Sequence, residues 1–299
     1  MKPVLTHPSK GSAEPTAVPK SISTLVKDIY AYLDGNAKID PQRVKVLGDR
    51  LAETITERLT NGNQTPELRM SNFGTKCDRQ LWYRIKCPTE AEPLDGKARF
   101  KFLFGDILED VVLVLAEEAG HRVTGRQTTL ELAGIKGHRD AVIDGVLVDV
   151  KSANARSFTK FEKHELEEDD PFGYLTQIGL YSAASKDDPL VEVKGEHAFL
   201  AVDKELGTLV VDKYKIDRSR DWEKEIREKR QVLERTDPPA RGYSDVPDGA
   251  SGNRKLGVAC SYCPFKHKCW PGLRTFQYSN GRRHLTVVER EPEVKEVTK

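Results

Sequence analysis

The stretch GHRDAVIDGVLVDVK, residues 137–151, constrains this chain more than any other. Asp144-Gly145 is a strong signal for a two-residue turn between strands, and such a turn fixes register. Ile143 then pairs with Val146, and Ala141 with Val148. Continued outward, the ladder sets Asp140 opposite Asp149 and His138 opposite Lys151. Side chains alternate along a strand, so these four share one face. Ala141, Ile143, Val146, Val148 and Val150 take the other face, which is apolar and belongs to a core.

Opposed residues in such a ladder hold their Cβ atoms roughly 5 Å apart, and like charges placed so destabilise a sheet. A solvated face with scattered charges is one reading. A cation between the aspartates is the other, because Mg²⁺ takes carboxylate oxygens and keeps several waters. Lys151 points at the same spot and can stabilise developing negative charge or orient a water. The opposed pair, the lysine and the all-apolar reverse face together favour the metal site.

Elements are expected on both sides of this hairpin. Ile22, Leu25, Ile29 and Leu33 recur at helical spacing, as do Val44, Leu47, Leu51, Ile55 and Leu59 after Pro41. A capped helix carries Cys77 in MSNFGTKCDRQLWYRIK, and a long apolar helix runs from FKFLFGDILED to near Gly120. HRVTGRQTTLEL is strand-like, PFGYLTQIGLYSAAS helical, and HAFLAVDKELGTLVVDKYKI a second hairpin around Leu206 and Gly207. A charged helix, SRDWEKEIREKRQVLER, and a Pro/Gly-rich segment then lead to CSYCPFKHKC. This order implies an α/β or α+β core with helical flanks.

The cysteines pose a separate question. Cys260, Cys263 and Cys269 fall within ten residues, while a structural metal or iron–sulfur site usually takes four protein ligands. The N-terminal segment has no apolar h-region and no apolar run reaches the roughly 18 residues of a membrane span, so an intracellular, cytoplasmic setting with reduced thiols is expected. Five cysteines is also an odd count for a disulfide framework. Cys77 and Cys87 are both available as the missing ligand, and His267 would serve a Cys₃His zinc site. The net charge is +1, so nucleic-acid contact would need a local patch rather than a global field.

Gly137-x-x-Asp140, a turn, and Asp149-x-Lys151 resemble the signature of the PD-(D/E)XK nuclease superfamily. Gly105-x-x-x-Glu109 upstream and Gln177-x-x-x-Tyr181 downstream are similar to the further motifs of its RecB-like branch. Gln177 and Tyr181 lie one helical turn apart on one face. The resemblance covers roughly residues 70–275 and implies a restriction-endonuclease-like core, a mixed sheet flanked by helices. It implies that Glu109, Asp140, Asp149 and the Val150 carbonyl hold Mg²⁺ or Mn²⁺, with Asp140, Asp149 and Lys151 catalytic and Gln177 and Tyr181 on the DNA. Asp149 stands where Glu is common in the family, and its shorter arm bears on metal geometry.

The resemblance also speaks to the cysteines. AddB-type and CRISPR adaptation nucleases hold a [4Fe–4S] cluster with one cysteine before the core and three after it. Carried over, the ligands are Cys77, Cys260, Cys263 and Cys269, Cys87 is left over, and zinc is the alternative metal. The resulting division is a flexible tail over 1–20, N-terminal helices over 21–66, the nuclease domain over 67–275 and a polar C-terminal tail over 276–299. The implied function is a metal-dependent DNA nuclease, expected to be an exonuclease of recombination, repair or degradation, in the host cytoplasm if the chain is phage-encoded. A structure-specific endonuclease and a non-catalytic, metal-stapled DNA-binding protein are the rivals. Basic and aromatic residues in KSANARSFTKFEKH and CDRQLWYRIK are candidate backbone contacts.

Overall fold

A computed structural model describes residues 20–35, 38–60 and 66–297. The expected tail over residues 1–20 therefore falls almost wholly outside the described residues. The chain opens with α1 (Leu25–Asp34), α2 (Pro41–Thr60), α3 (Met70–Phe73), α4 (Asp78–Lys86) and α5 (Gly96–Glu118). Strands β1 (Val123–Thr124), β2 (Thr129–Leu132), β3 (Ile135–His138), β4 (Ala141–Ile143) and β5 (Val146–Ala153) follow. Next come α6 (Ala155–Glu162), α7 (Tyr174–Ala184), β6 (Glu196–Asp203), β7 (Leu209–Lys215) and α8 (Trp222–Glu234). The C-terminal part holds β8 (Val246–Pro247), β9 (Arg254–Lys255), α9 (Val258–Ser261), α10 (Lys266–Cys269), β10 (Arg274–Tyr278) and β11 (Gly281–Val287).

The central sheet has the order β1-β4-β5-β6-β7. β5 and β6 are parallel and the other neighbours antiparallel, so the sheet is mixed, as expected. The β5–β6 crossover carries α6 and α7, the usual way to join parallel neighbours. Both faces are covered. Ala141, Ile143, Val146, Val148 and Val150 pack with Leu25 and Ile29 of α1 and Val112 and Leu113 of α5. Val142, Leu147 and Phe199 face the other way, onto Phe158 and Phe161 of α6, Ile178 and Tyr181 of α7, and Trp222 of α8.

The Asp144-Gly145 turn sits where the sequence puts it, with both residues at positive φ. The register Ile143↔Val146 and Ala141↔Val148 also holds. Beyond Ala141 the ladder ends, which corrects the extended hairpin. His138 pairs with Thr129 in the separate β2–β3 ribbon, so it does not oppose Lys151. The cause lies at Asp140: its carboxylate accepts the Val150 N–H at 2.7 Å, so a side chain takes the place of the next rung.

Other departures are local. The helix expected to carry Cys77 is two helices broken around Gly74, with Cys77 capping the second. Gly74 meets Gly173 backbone to backbone, so closely that a Cβ on either would clash. Leu33 is 54% exposed although it shares the spacing of buried Leu25 and Ile29, and α2 buries none of its residues fully. α6 was not foreseen, although Asn154 caps it by accepting the Ser157 N–H. The segment over 276–299 is not all tail: β10 and β11 pair, and the Val297 N–H bonds Thr275. No helix among the described residues is long and apolar enough to cross a membrane.

Candidate active site

Asp149 lies in the middle of β5, on the face of Val142 and Leu147, and is 1% exposed. Lys151 Nζ stands 2.5 Å from its Oδ2. Apart from that ion pair, neither Asp149 oxygen has a hydrogen-bond donor among the described residues. A buried carboxylate in that state is costly. Burial pulls the Lys151 ammonium toward neutrality, but Asp149 and Asp140 outweigh it and hold the group charged. Its Nζ also lies 4.9 Å from the centre of the Tyr174 ring.

Asp140 is brought to the same region by the chain's swing out of β4. Burial, then the charges of Asp149 and Glu109, push its carboxyl well above the ordinary aspartate range. Glu109 arrives on α5, and Gly105, one turn earlier, lets the helix approach β5: a Cβ there would lie 3.1 Å from Ser152 Oγ. Burial is the main reason the Glu109 carboxyl is pushed up to about 7, and Asp149 adds to it. Gln127, at positive φ, donates to Glu109 Oε1 at 2.6 Å. The structure thus brings Glu109, Asp140, Asp149 and Lys151 within electrostatic reach of one another, and the backbone of Val150 is tied to Asp140.

Gln177 Nε2 donates to Tyr181 Oη at 2.9 Å on α7. Tyr181 is 2% exposed, packed where a Cβ on Gly137 would strike its ring. Burial and then the charge of Asp149 raise its phenol. Sequence reasoning missed Tyr174 and Gln127. Tyr174 had a signal, since 174, 177 and 181 form one helical stripe. Gln127 had none, because its role depends on the tertiary approach of its loop to α5.

Carboxylate oxygens, one pair of them with no partner but Lys151, are a donor set suited to a hard divalent cation. Even so, no group of three or more His, Cys, Asp or Glu side chains among the described residues is arranged so that it could hold a metal ion as it stands. The three carboxylates are instead restrained separately, by the Val150 N–H, by Gln127 and by Lys151.

The cysteines form a second region. Cys77, Cys260, Cys263 and Cys269 line one cavity together with Tyr83, Arg241, Gly242 and Trp270, while Cys87 is not among its lining residues. Gly242 presses on Cys77, with room for no more than 3.1 Å between an added Cβ and Sγ. Burial, with the other three cysteines adding to it, pushes the Cys263 thiol up to about 11. The helix that follows Cys77 packs on the C-terminal part of the chain. Leu81, Trp82 and Tyr83 share a core with Leu233, Cys263 and Phe265, and Trp82 Nε1 donates to the Arg235 carbonyl at 2.9 Å. His267 faces Glu92 at 3.3 Å and is not on the cavity wall.

Strand β5 thus presents Asp149 and Lys151, Asp140 precedes β4, and α5 delivers Glu109. The chain belongs to the PD-(D/E)XK nuclease superfamily, whose family model matches residues 35–270. Members of that superfamily are nuclease hydrolases and generally use divalent metal ions such as Mg²⁺ or Mn²⁺. Among solved structures, the chain is similar to an alkaline exonuclease (LHK-Exo) from Laribacter hongkongensis. The identity is 17% and the TM-score 0.41, over 61% of this chain and 92% of that one. It is also similar to the protein SSO0001, at 15% identity and a TM-score of 0.41, over 77% of this chain and 96% of that one. No curated protein matches the chain.

Proposed function

We propose that this protein is a divalent-metal-dependent DNA exonuclease of the RecB-like branch, with an iron–sulfur staple. The observation that carries the catalytic reading is the buried Asp149 carboxylate, paired with a charged Lys151 and with no other hydrogen-bond donor on either oxygen among the described residues. Glu109, Asp140 and Asp149, with the Val150 carbonyl, would hold Mg²⁺ or Mn²⁺. A bound ion of this kind polarises a phosphate oxygen and makes a water acidic enough to attack.

The chain's own residues supply the rest. Lys151 brings a permanent positive charge next to the place where the phosphate gains negative charge, in a partly dry site where that charge counts for more than in water. Asp140 holds β5 at Val150 and so orients the strand that carries Asp149 and Lys151. Buried Tyr181 and half-buried Gln177 lie beside the carboxylates and would form the wall against which a DNA strand lies.

The staple reading is supported by the cavity that gathers Cys77, Cys260, Cys263 and Cys269 without Cys87. Thiolates are soft ligands that suit iron–sulfur clusters or zinc. The ligands are separated by most of the chain, and the site lies on different elements from the carboxylates, so its role is structural.

Incubation with Mn²⁺ or Mg²⁺ on end-labelled linear and covalently closed circular DNA tests the function. Metal-dependent loss of the linear species alone supports exonuclease action. Cutting of the circle would make the protein an endonuclease, and binding without cutting would make it a non-catalytic DNA-binding protein. Iron, sulfide and zinc analysis of anaerobically purified protein tests the staple.

A further inference from the structure

The first turns of the helix that delivers Glu109 carry alternating basic and aromatic residues, Arg99-Phe100-Lys101-Phe102. Asp95 caps this helix by accepting the Ala98 N–H. Phe102 is 52% exposed, an unusual state for a phenylalanine on a long helix. It lies seven residues before Glu109, which is two turns and about 10.5 Å along the axis, on nearly the same stripe. Gly105 falls between them on that stripe and packs against Ser152.

The stripe has a direction. Glu109 feels the charge of Asp149, and Gly105 meets Ser152, three residues further along β5. α5 and β5 therefore run oppositely here. One more turn toward the start of α5 carries Phe102 past the end of β5 at Ala153, outward from the carboxylates. On the helical wheel Lys101 and Arg99 lie to either side of Phe102. Both are exposed, Arg99 Nε donates to the Leu94 carbonyl at 3.3 Å, and neither has a carboxylate partner among the described residues. Phe100 points to the far side of the helix, where it stacks on Phe104 with ring centres 6.4 Å apart.

We infer that Phe102 is a base-stacking post for the unpaired end of a DNA strand entering the site, with Lys101 and Arg99 holding the flanking phosphates. The inference rests on the nuclease reading above. An aromatic face accepts any base, and cations beside it match the charge of the backbone, so the pairing binds single strands without sequence preference. Position adds the rest: a strand stacked on Phe102 has its next phosphates directed along the stripe toward Glu109 and Asp149. The post makes the enzyme favour substrates whose terminal bases are already unpaired, because stacking one base on Phe102 requires it to leave the duplex.

The test uses DNA carrying 2-aminopurine in a short single-stranded overhang, bound to the full-length Asp140→Asn protein so that cleavage does not intervene. Binding is followed by anisotropy, stacking by 2-aminopurine fluorescence, and self-association by light scattering. Phe102→Ala is expected to weaken overhang binding roughly five- to a hundredfold and to abolish the fluorescence change. Phe102→Tyr should restore both. With Asp140 intact, Phe102→Ala should raise KM on overhang substrates and leave kcat nearly unchanged. Unaltered binding and fluorescence in Phe102→Ala would overturn the inference while sparing the nuclease reading, as would a change confined to oligomeric state. Loss of all DNA binding by the protein that retains Phe102 would overturn both.

Discussion

Asp140 accepts the backbone N–H of Val150 at 2.7 Å, so the aspartate is both a candidate metal ligand and a rung of the sheet. Two changes at this position should therefore behave differently in stability and alike in activity. Asp140→Asn keeps an acceptor oxygen for the N–H, and its melting midpoint should stay near that of wild type. Asp140→Ala leaves the Val150 N–H without its acceptor, a loss of about 1–3 kcal/mol, partly offset by relief of repulsion from Asp149. Both should be inactive. Equal stability of the two variants in urea titrations would show that the bond contributes nothing.

Glu109 gives the metal-free protein a pH signature. Its carboxyl is pushed from 4.5 to about 7, chiefly by burial. A raised acid binds more protons folded than unfolded, so stability falls as pH rises through that window. Between pH 4.5 and 7 the metal-free wild type should lose stability that Glu109→Gln retains. Parallel stability profiles for the two proteins would contradict this.

His197 and His284 act in the opposite sense. Both are held down to about 4, by burial in each case. Such a histidine must charge on unfolding, so stability is complete above about 6.5 and is lost as pH falls toward 4. Replacing His197 with Gln should shallow the acid limb of the profile, measured by thermal melts from pH 7 to 4.

Gly173 ends the approach to α7 at φ +75, and a Cβ there would lie 2.4 Å from the Gly74 carbonyl oxygen. Gly173→Ala should cost at least about 2 kcal/mol and lower activity with it, because α7 carries Tyr174, Gln177 and Tyr181. Wild-type stability in this variant would show that the two backbones separate freely.

Cys77→Ser should lose bound iron and much stability, whereas Cys87→Ser should keep both, because only Cys77 lines the cavity with the three later cysteines. One zinc and no iron in the wild type would replace the cluster with zinc and leave the nuclease reading intact. Iron lost from Cys87→Ser alone would mean that the fourth ligand is misassigned.

Much of the fold was legible in the sequence for local reasons. Asp144-Gly145 fixed its own register, and alternation along β5 sorted Val148 and Val150 from Asp149 and Lys151. The β6–β7 hairpin was visible around Gly207. What could not be read depended on partners distant in sequence. Asp140 left the ladder because its side chain found the Val150 N–H and because β3 was claimed by β2. Leu33 matched the buried stripe of α1 yet lies beyond the reach of the core. The break in the cysteine-bearing helix at Gly74 coincides with its backbone contact to Gly173, about a hundred residues away. Asp140, Asp149 and Lys151 were picked out as candidates by residue type and order, and Glu109 and the cysteine set by resemblance, whereas the Gln127 contact and the lack of any Asp149 partner but Lys151 show only in three dimensions.

Asp149, beside Lys151, is the proposed heart of a metal-dependent nuclease site. Its most direct test is the initial rate of Mn²⁺-dependent digestion of end-labelled linear DNA by wild type and Asp149→Asn, with calorimetric Mn²⁺ titration of the same samples and circular dichroism to verify folding. The account predicts a folded variant whose rate falls at least about a hundredfold and whose Mn²⁺ binding is weakened in step. A folded Asp149→Asn protein that digests DNA within a few-fold of the wild-type rate would contradict it.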